Sequence, residues 1–210
     1  MEILKLHKNS YDKLKNVAKI INDGKVVVFP TETVYGIGVN GLDVYSIKKL
    51  YKIKVRDYNK PISLLVSSYE MIESVADIVS PIEKKIIECF FPGPITLVLN
   101  KKNVVSDILT SGTNTVGIRM PDSEFCLRLI DYVGNPLATS SANISGRESG
   151  VNIEDIYAQF GDAVDLYIDN DEKRSDISST VVRVVDDELV ILRNGMISKE
   201  EIMNKINFKQ

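Results

Sequence analysis

The sequence predicts an α/β fold in which helices flank one twisted sheet of mixed strand direction. Amphipathic helical patterns alternate along the chain with short runs of apolar and β-branched residues, which are typical of buried strands. No internal repeat, low-complexity tract or long linker interrupts this alternation. Because 210 residues suffice for one sizeable hydrophobic core, we expect a single domain over residues 1–210.

Cap residues and apolar spacing define the elements of the first half of the chain. Asn9 or Ser10 can cap a first helix, which Gly24 ends. Ser67 and Glu70 have capping-box spacing for a short helix. The elements predicted up to residue 99 are a helix with Leu14, Val17 and Ile21 on its apolar face, a strand at 25–29, a helix at 43–54, a strand at 61–66, the short helix after Ser67, a helix opened by Ser80, Pro81 and Glu83, and a strand at 95–99.

The second half of the chain continues the alternation. Gly134 ends a predicted helix that begins near Ser123, and Ser198 with Glu201 has capping-box spacing for a terminal helix. The elements predicted after residue 99 are a strand at 115–119, a helix at 123–133, a strand at 136–139, a helix at 153–160, strands at 163–168, 180–185 and 189–192, and the terminal helix.

Composition argues against several classes of protein. The formal net charge of −3 and the pI near 5.4 disfavour a general nucleic-acid binder, so any anion site must be local. The single histidine, His7, disfavours a Ser-His-Asp or Cys-His hydrolase and a histidine-based zinc site. Cys89 and Cys126 lie on predicted apolar helix faces, so we expect buried free thiols and no metal site.

Targeting signals are not visible in the sequence. No apolar run reaches the roughly 18 residues that a membrane span needs. The first residues, MEILKLHKNSYDKLKN, lack the apolar segment and small-residue cleavage site of a signal peptide. We therefore expect a cytoplasmic protein.

The stretch FPTETVYGIG, residues 29–38, combines features of a ligand-binding loop. It follows the predicted strand at 25–29, and Pro30 ends that strand because proline has no N–H to donate. Two threonines, a glutamate and a tyrosine then follow at the carboxyl end of the strand, where open α/β sheets hold ligands. Gly36 and Gly38 allow backbone to approach a ligand closely. The alternative is a solvated, threonine-rich connection.

A cluster of cations extends from Lys48 to Lys60. The helical spacing of the predicted helix at 43–54 places Lys48, Lys49 and Lys52 on its solvated face. Lys54, Arg56 and Lys60 lie past that helix, beside the entrance of a strand, where flexible cationic donors suit a polyphosphate.

Three further segments carry groups that suit an anion. SSANISG, residues 140–146, places hydroxyls, an amide and free backbone N–H groups at the end of a strand, as a phosphate-binding turn requires. Arg119 and Arg193 each end a predicted apolar strand, where a buried charge needs an anionic partner. An ordinary Ser/Asn/Gly loop and structural ion pairs are the alternative interpretations.

Taken together, these stretches resemble the YrdC-like threonylcarbamoyl-AMP synthase family. The similarity extends in order through FPTETVYGIG, KVRDYNKP, FFPGPITLVL, TVGIRMP, ATSSANISG, DISSTVVR and ILRNG, from about Val17 to Ile197. The family's KxR…SxN tetrad is complete as Lys54, Arg56, Ser141 and Asn143. The resemblance implies a YrdC-like fold with an open nucleotide cleft, and a form without the extra C-terminal domain of longer members.

The resemblance also implies an activity. Members condense L-threonine, bicarbonate and ATP into threonylcarbamoyl-AMP and pyrophosphate, with Mg²⁺ accompanying ATP, and the product passes to a tRNA threonylcarbamoyl transferase complex that makes the modified adenosine t6A. Weak RNA binding is a further implied property. The matching motifs assign catalytic roles to Lys54, Arg56, Ser141 and Asn143, ATP contacts to Arg56, Lys60, Thr115, Ser141, Ser149 and Arg193, and L-threonine contacts to Thr33, Arg119, Thr139 and Ser179.

The sequence departs from the family pattern at a few positions. Leu65 replaces a histidine that many members carry, and leucine cannot hydrogen-bond threonine. Phe91 replaces the tryptophan of the WPGP motif, and Asn194 the proline of the RPG motif. Two alternative functions share the fold: a paralogue that binds RNA or ribosomes without this activity, and a related enzyme that forms a carbamoyl adenylate.

Overall fold

The computed structural model describes residues 3–6, 11–148, 150–170, 175 and 177–207. The predicted α/β class is confirmed: one mixed sheet crosses the described part of the chain in the order β1-β9-β2-β3-β8-β4-β7-β6-β10-β11, and β5 pairs with β6 beside that path. The pairs β1/β9, β2/β9, β4/β7 and β6/β10 are parallel. The strands are β1 Ile3–Leu6, β2 Val27–Phe29, β3 Gly36–Asn40, β4 Ser63–Leu65, β5 Ala76–Asp77, β6 Ile95–Lys101, β7 Thr115–Arg119, β8 Leu137–Ser141, β9 Leu166–Asn170, β10 Thr180–Val185 and β11 Glu188–Arg193.

The helices begin and end at the capping residues that the sequence supplies. Ser80 and Glu83 form a complete capping box, and Ser198 and Glu201 bond each other's backbone N–H groups in the same way. Gly134, in the left-handed conformation at φ 75°, ends a helix as predicted. The helices are α1 Leu14–Asn22, α2 Val44–Ile53, α3 Tyr69–Val75, α4 Pro81–Phe90, α5 Glu124–Val133, α6 Ile153–Phe160 and α7 Lys199–Asn207.

Two apolar clusters pack on the sheet. Val26 and Val28 belong to the cluster that also holds buried residues of α2, α3, α4, α6 and α7, whereas Val27 and Phe29 belong to the cluster with α1 and α5. Successive strand residues point to opposite faces, so an unbroken apolar run is required where both faces are covered. All four of these residues are fully buried.

The structure corrects several predicted boundaries. Ser68, and not Ser67, caps the short helix α3, because its hydroxyl accepts from the N–H of Met71. The strand expected at 163–168 begins at Leu166, because residues 161–163 form a 3₁₀ turn. β1 and β5 were not predicted. The predicted caps Asn9 and Ser10, like His7, lie outside the described residues.

The largest difference from prediction is β3. The sequence predicted a connection through residues 30–38, but Gly36–Asn40 forms a central strand between β2 and β8. Glycine lowers strand propensity, and the glycines of this segment obscured the apolar pattern by which a strand is recognised. The packing requires them, since a Cβ at Gly36 would lie 2.9 Å from Cγ2 of Thr139.

Cys126 is buried as expected, but Cys89 is only half-buried, and no disulfide joins cysteines within the described residues. Within the described residues, no helix combines the length and apolar character that crossing a bilayer demands.

Candidate active site

A cavity of about 480 Å³ lies over the middle of the sheet. It is lined by residues of strands β3, β4, β6, β7, β8, β10 and β11 and of the loops beside them. Most of its polar lining consists of hydroxyl groups, which can donate and accept hydrogen bonds. The hydroxyl-bearing residues on its wall, besides Tyr35, are Thr31, Thr33, Ser63, Thr96, Thr113, Thr115, Thr139, Ser140, Ser141, Ser178 and Ser179.

Four arginines, Arg56, Arg119, Arg183 and Arg193, line this one cavity. Burial, followed by the nearby charges of Arg119 and Arg56, lowers the pKa of Arg193. Burial also lowers the pKa of Arg56. Such shifts mean that each cation is disfavoured by its surroundings, and an anion in the cavity would relieve that cost. The cavity therefore has the electrostatics of a site for a multiply charged anion.

Arg119, the last residue of β7, is held from one side. Its Nη2 donates to Oε1 of Glu32 at 2.5 Å and to Oγ1 of Thr33 at 3.0 Å. Thr33 is itself fixed by Thr31, whose Oγ1 lies 3.0 Å from that of Thr33 and accepts from its N–H. Arg119 is only 7% exposed, so its guanidinium is fixed before any ligand binds.

Arg193, the last residue of β11, is fixed by the loop before β10. Its Nη2 donates to the carbonyl and to Oγ of Ser179, at 2.7 and 3.0 Å. The Ser179 hydroxyl lies 2.9 Å from Oγ1 of Thr96 on β6. Gly195 makes this approach possible, because a Cβ there would overlap the backbone of residues 178–180.

Arg56 lies in the turn after α2. Its Nε donates to the carbonyl of Lys60 at 2.9 Å, and its Nη2 to the carbonyl of Pro61 at 2.8 Å. The side chain of Lys60 is exposed and does not line the cavity. The structure thus brings Arg56 into the site and leaves Lys60 at its margin.

Lys54 and Asn143 lie behind the cavity wall. The Nζ of Lys54, a residue 1% exposed, donates to the carbonyls of Ser141 and Asn143, each at 2.6 Å. Asn143 in turn accepts from Oγ of Ser141 at 2.5 Å and donates to the carbonyls of Ile144 and Arg147. Burial and the charge of Arg56 lower the pKa of Lys54 to about 7. Both side chains therefore shape the 141–147 loop and do not themselves line the cavity.

Of the remaining predicted contacts, Thr115, Thr139 and Ser141 line the cavity, and so does Leu65, which is 4% exposed. Ser149 lies outside the described residues. The motifs assigned no ligand contact to Glu32, which lies inside the FPTETVYGIG stretch, and none to Arg183, a residue of the cavity wall. Arg183 interrupts the apolar pattern of TVVRVV, and this interruption is the sequence feature that could have indicated a site residue.

The fold and the cavity define an α/β protein with a hydroxyl-lined cleft for anions. The chain belongs to the Sua5/YciO/YrdC family: the family model, described as telomere recombination, matches residues 19–195. This confirms the resemblance that the motifs indicated.

Individual relatives agree with the family match. A threonylcarbamoyl-AMP synthase of Pyrococcus abyssi is 38% identical over 90% of this chain and 56% of its own length. A Methanocaldococcus jannaschii protein, to which the same name is given provisionally, is 36% identical over 96% of both chains. The crystal structure of P. abyssi Sua5 complexed with L-threonine superposes with a TM-score of 0.93 at 36% identity, covering 98% of this chain and 61% of that one. This chain thus spans little more than half of the P. abyssi synthase.

Proposed function

We propose that this protein is a threonylcarbamoyl-AMP synthase, a nucleotidyltransferase that condenses L-threonine, bicarbonate and ATP into threonylcarbamoyl-AMP and pyrophosphate. The observation that carries the proposal is the convergence of Arg56, Arg119 and Arg193 on one hydroxyl-lined cavity. A nucleoside triphosphate and an amino-acid carboxylate are the anions that such a site would accept. The P. abyssi relatives, which share this fold and are named for this activity or bound to L-threonine, support it.

In this proposal the threonine lies near β7. Arg119 pairs with its carboxylate, and Thr33, Thr139 and Ser179 offer hydroxyls to its amine and side chain. All four residues line the cavity, and Arg119 and Thr33 are already hydrogen-bonded to each other. A buried arginine binds a carboxylate strongly because each hydrogen bond is charge-assisted.

ATP would lie in the same cavity, beside the threonine. Arg56, Thr115, Ser141 and Arg193 line it and can contact the nucleotide. Lys60 could reach it from the margin, and Ser149 is assigned to it by motif alone. Mg²⁺ would enter as part of the substrate, on the phosphates. Lys54 and Asn143, which hold the 141–147 loop in place, would act as positioning residues.

In the inferred chemistry the protein forms no covalent bond with its substrates. The threonine amine captures CO2 or bicarbonate to form a carbamate, whose oxygen attacks the α-phosphorus of ATP and expels pyrophosphate. The substrate itself is the nucleophile, so this chain contributes position and positive charge, the usual demands of phosphoryl-type transfer. The product would pass to a tRNA threonylcarbamoyl transferase complex.

The first prediction tests this function by pyrophosphate release from MgATP. We expect release only when L-threonine and bicarbonate are both present. Arg56→Ala should reduce the rate about 10-fold or more, because it removes a charge-assisted contact to the nucleotide. Lys48→Ala, which removes an exposed cation of α2 outside the cavity, is the matched control and should leave the rate unchanged.

Two outcomes would contradict the proposal. ATP splitting at the same rate without threonine would mean that the reaction is assigned wrongly. Salt-sensitive RNA binding without any ATP turnover would favour the RNA-binding alternative, because phosphate contacts release counterions.

A further inference from the structure

The ion pair between Glu32 and Arg119 leaves two polar atoms unused. It joins one oxygen, Oε1, to one nitrogen, Nη2. Oε2 of Glu32 and Nε of Arg119 are both buried and have no hydrogen-bond partner among the described residues. Buried charged atoms without partners are costly, so native structures rarely keep them unless a ligand or water completes them. One acceptor and one donor of this ion pair thus remain without a partner.

The positive charge of the cavity wall bears on what Glu32 can bind. The cavity is lined by four arginines, and none of the described residues on its wall carries a carboxylate. A cationic group entering the cavity would therefore be repelled, unless it lay against Glu32. Glu32 stands between Thr31 and Thr33, which both line the cavity, and 19% of its side chain is exposed.

The geometry of an α-amino acid matches this arrangement. Its carboxylate and its ammonium group are attached to the same carbon, so they lie close together. A ligand whose carboxylate binds Arg119 therefore carries its ammonium group next to the residue that Arg119 already contacts, Glu32. The free donor Nε suits the carboxylate, and the free acceptor Oε2 suits the ammonium.

We propose that Glu32 determines specificity for the α-ammonium group of the substrate, by accepting a charge-assisted hydrogen bond from it. The site then selects α-amino acids over α-hydroxy acids of the same shape. This inference rests on the proposed function in that it takes an amino acid as substrate. It adds a residue to which the motifs assign no contact.

The second prediction tests this specificity with Glu32→Gln, which keeps the size of the side chain and an acceptor oxygen but removes the charge. Binding of L-threonine and of 2,3-dihydroxybutanoate of the same configuration is measured by calorimetric titration. We expect threonine affinity to fall about 10- to 100-fold, and hydroxy-acid affinity to change by less than about threefold. L-Threoninol, which keeps the ammonium and lacks the carboxylate, should lose affinity as threonine does.

Glu124→Gln is the matched control, because it also removes a carboxylate from a pair with arginine, here Arg128 at 2.7 Å on the exposed face of α5. It should change none of the three affinities, and thermal melting confirms that both variants are folded. Equal losses for threonine and the hydroxy acid, with threoninol unaffected, would mean that Glu32 merely orients Arg119. Unchanged threonine affinity would also overturn the proposal. Failure of the proposed function would instead appear in the parent protein, as absent pyrophosphate release.

Discussion

Arg119 and Leu65 face the same cavity but offer a ligand very different interactions. Arg119 is fixed by Glu32 and Thr33 and keeps an unused donor, whereas Leu65 offers only apolar contact. Loss of a charge-assisted bond to a desolvated carboxylate costs on the order of 2–4 kcal/mol, whereas a neutral hydrogen bond contributes about 0.5–1.5 kcal/mol. The carboxylate, and not the threonine hydroxyl, should dominate affinity.

The third prediction follows from that difference. Arg119→Ala should abolish measurable L-threonine binding, a loss of roughly 30- to 1,000-fold. Leu65→His, which introduces the histidine of many relatives, should change affinity by no more than about tenfold. Calorimetric titration with serine as competitor measures both. Parent-like binding by Arg119→Ala, or much tighter binding of serine than of threonine, would exclude this pocket assignment.

Lys54 is unusual because a fully buried lysine holds two backbone carbonyls of the 141–147 loop. Its pKa falls from 10.5 to about 7, first because burial disfavours the charge and then because Arg56 is near. Between these two values the unfolded chain binds more protons at this residue than the folded protein does. The contribution of Lys54 to the free energy of unfolding therefore rises with pH across that window.

The fourth prediction separates this titration from the structural role. Lys54→Met should remove the rise in stability that Lys54 contributes between pH 7 and 10, as measured by urea unfolding at several pH values. It should also lower stability by about 2–5 kcal/mol at pH 7, because two carbonyls lose their donor. Lys52→Met, an exposed change on the same helix, is the control. An identical pH dependence in parent and Lys54→Met would contradict the assigned pKa.

At the scale of elements, the β10–β11 hairpin supplies one side of the cavity. β10 pairs parallel with β6 and antiparallel with β11, so Ser179, just before β10, and Arg193, at the end of β11, are brought together. The loop after β11 then passes against residues 178–180, and N–H of Met196 donates to the carbonyl of Ser178. The position of Arg193 therefore depends on a glycine two residues further along.

The fifth prediction tests that dependence. Gly195→Ala must displace backbone, since its Cβ would overlap residues 178–180, and we expect ATP affinity to fall at least about 10-fold as Arg193 loses its position. Gly134→Ala is the control: its Cβ meets nothing within 4 Å, so it costs only the strain of a positive φ, about 1 kcal/mol. Titration with fluorescent ATP measures the nucleotide affinity of the two variants. Normal ATP affinity in Gly195→Ala would mean that Arg193 is not part of the nucleotide site.

Elements with strong local signals were predictable, and those set by distant packing were not. The capping box at Ser80 and the strand at 115–119 match the structure, because caps and β-branched runs act within a few residues. β3 was not predicted, because its pairing with β8 depends on Thr139, which is far away in the sequence. The same holds for β1, whose partner is β9.

For the whole molecule, the motifs identified most of the cavity wall but not how its groups are connected. Thr33, Arg119, Thr139, Ser179 and Arg193 all line one cavity, as a shared site requires. Sequence spacing did not indicate where these side chains point. Lys54 is buried in the protein interior, and Glu32, in the loop after β2, pairs with Arg119 at the end of β7. Such pairings arise only when distant segments meet, which no local pattern records.

The hairpin that carries Arg193 comes late in the chain, whereas Thr33 comes early, and the sheet joins them through strands that are distant in sequence. Contacts of this kind must wait until the intervening chain has been closed into loops, which makes folding slow. A chain still growing on the ribosome would already contain Thr33 and Arg119 but would lack one wall of the cavity. The wall of the cavity that carries Arg193 therefore forms only after residues 177–193 have been synthesised.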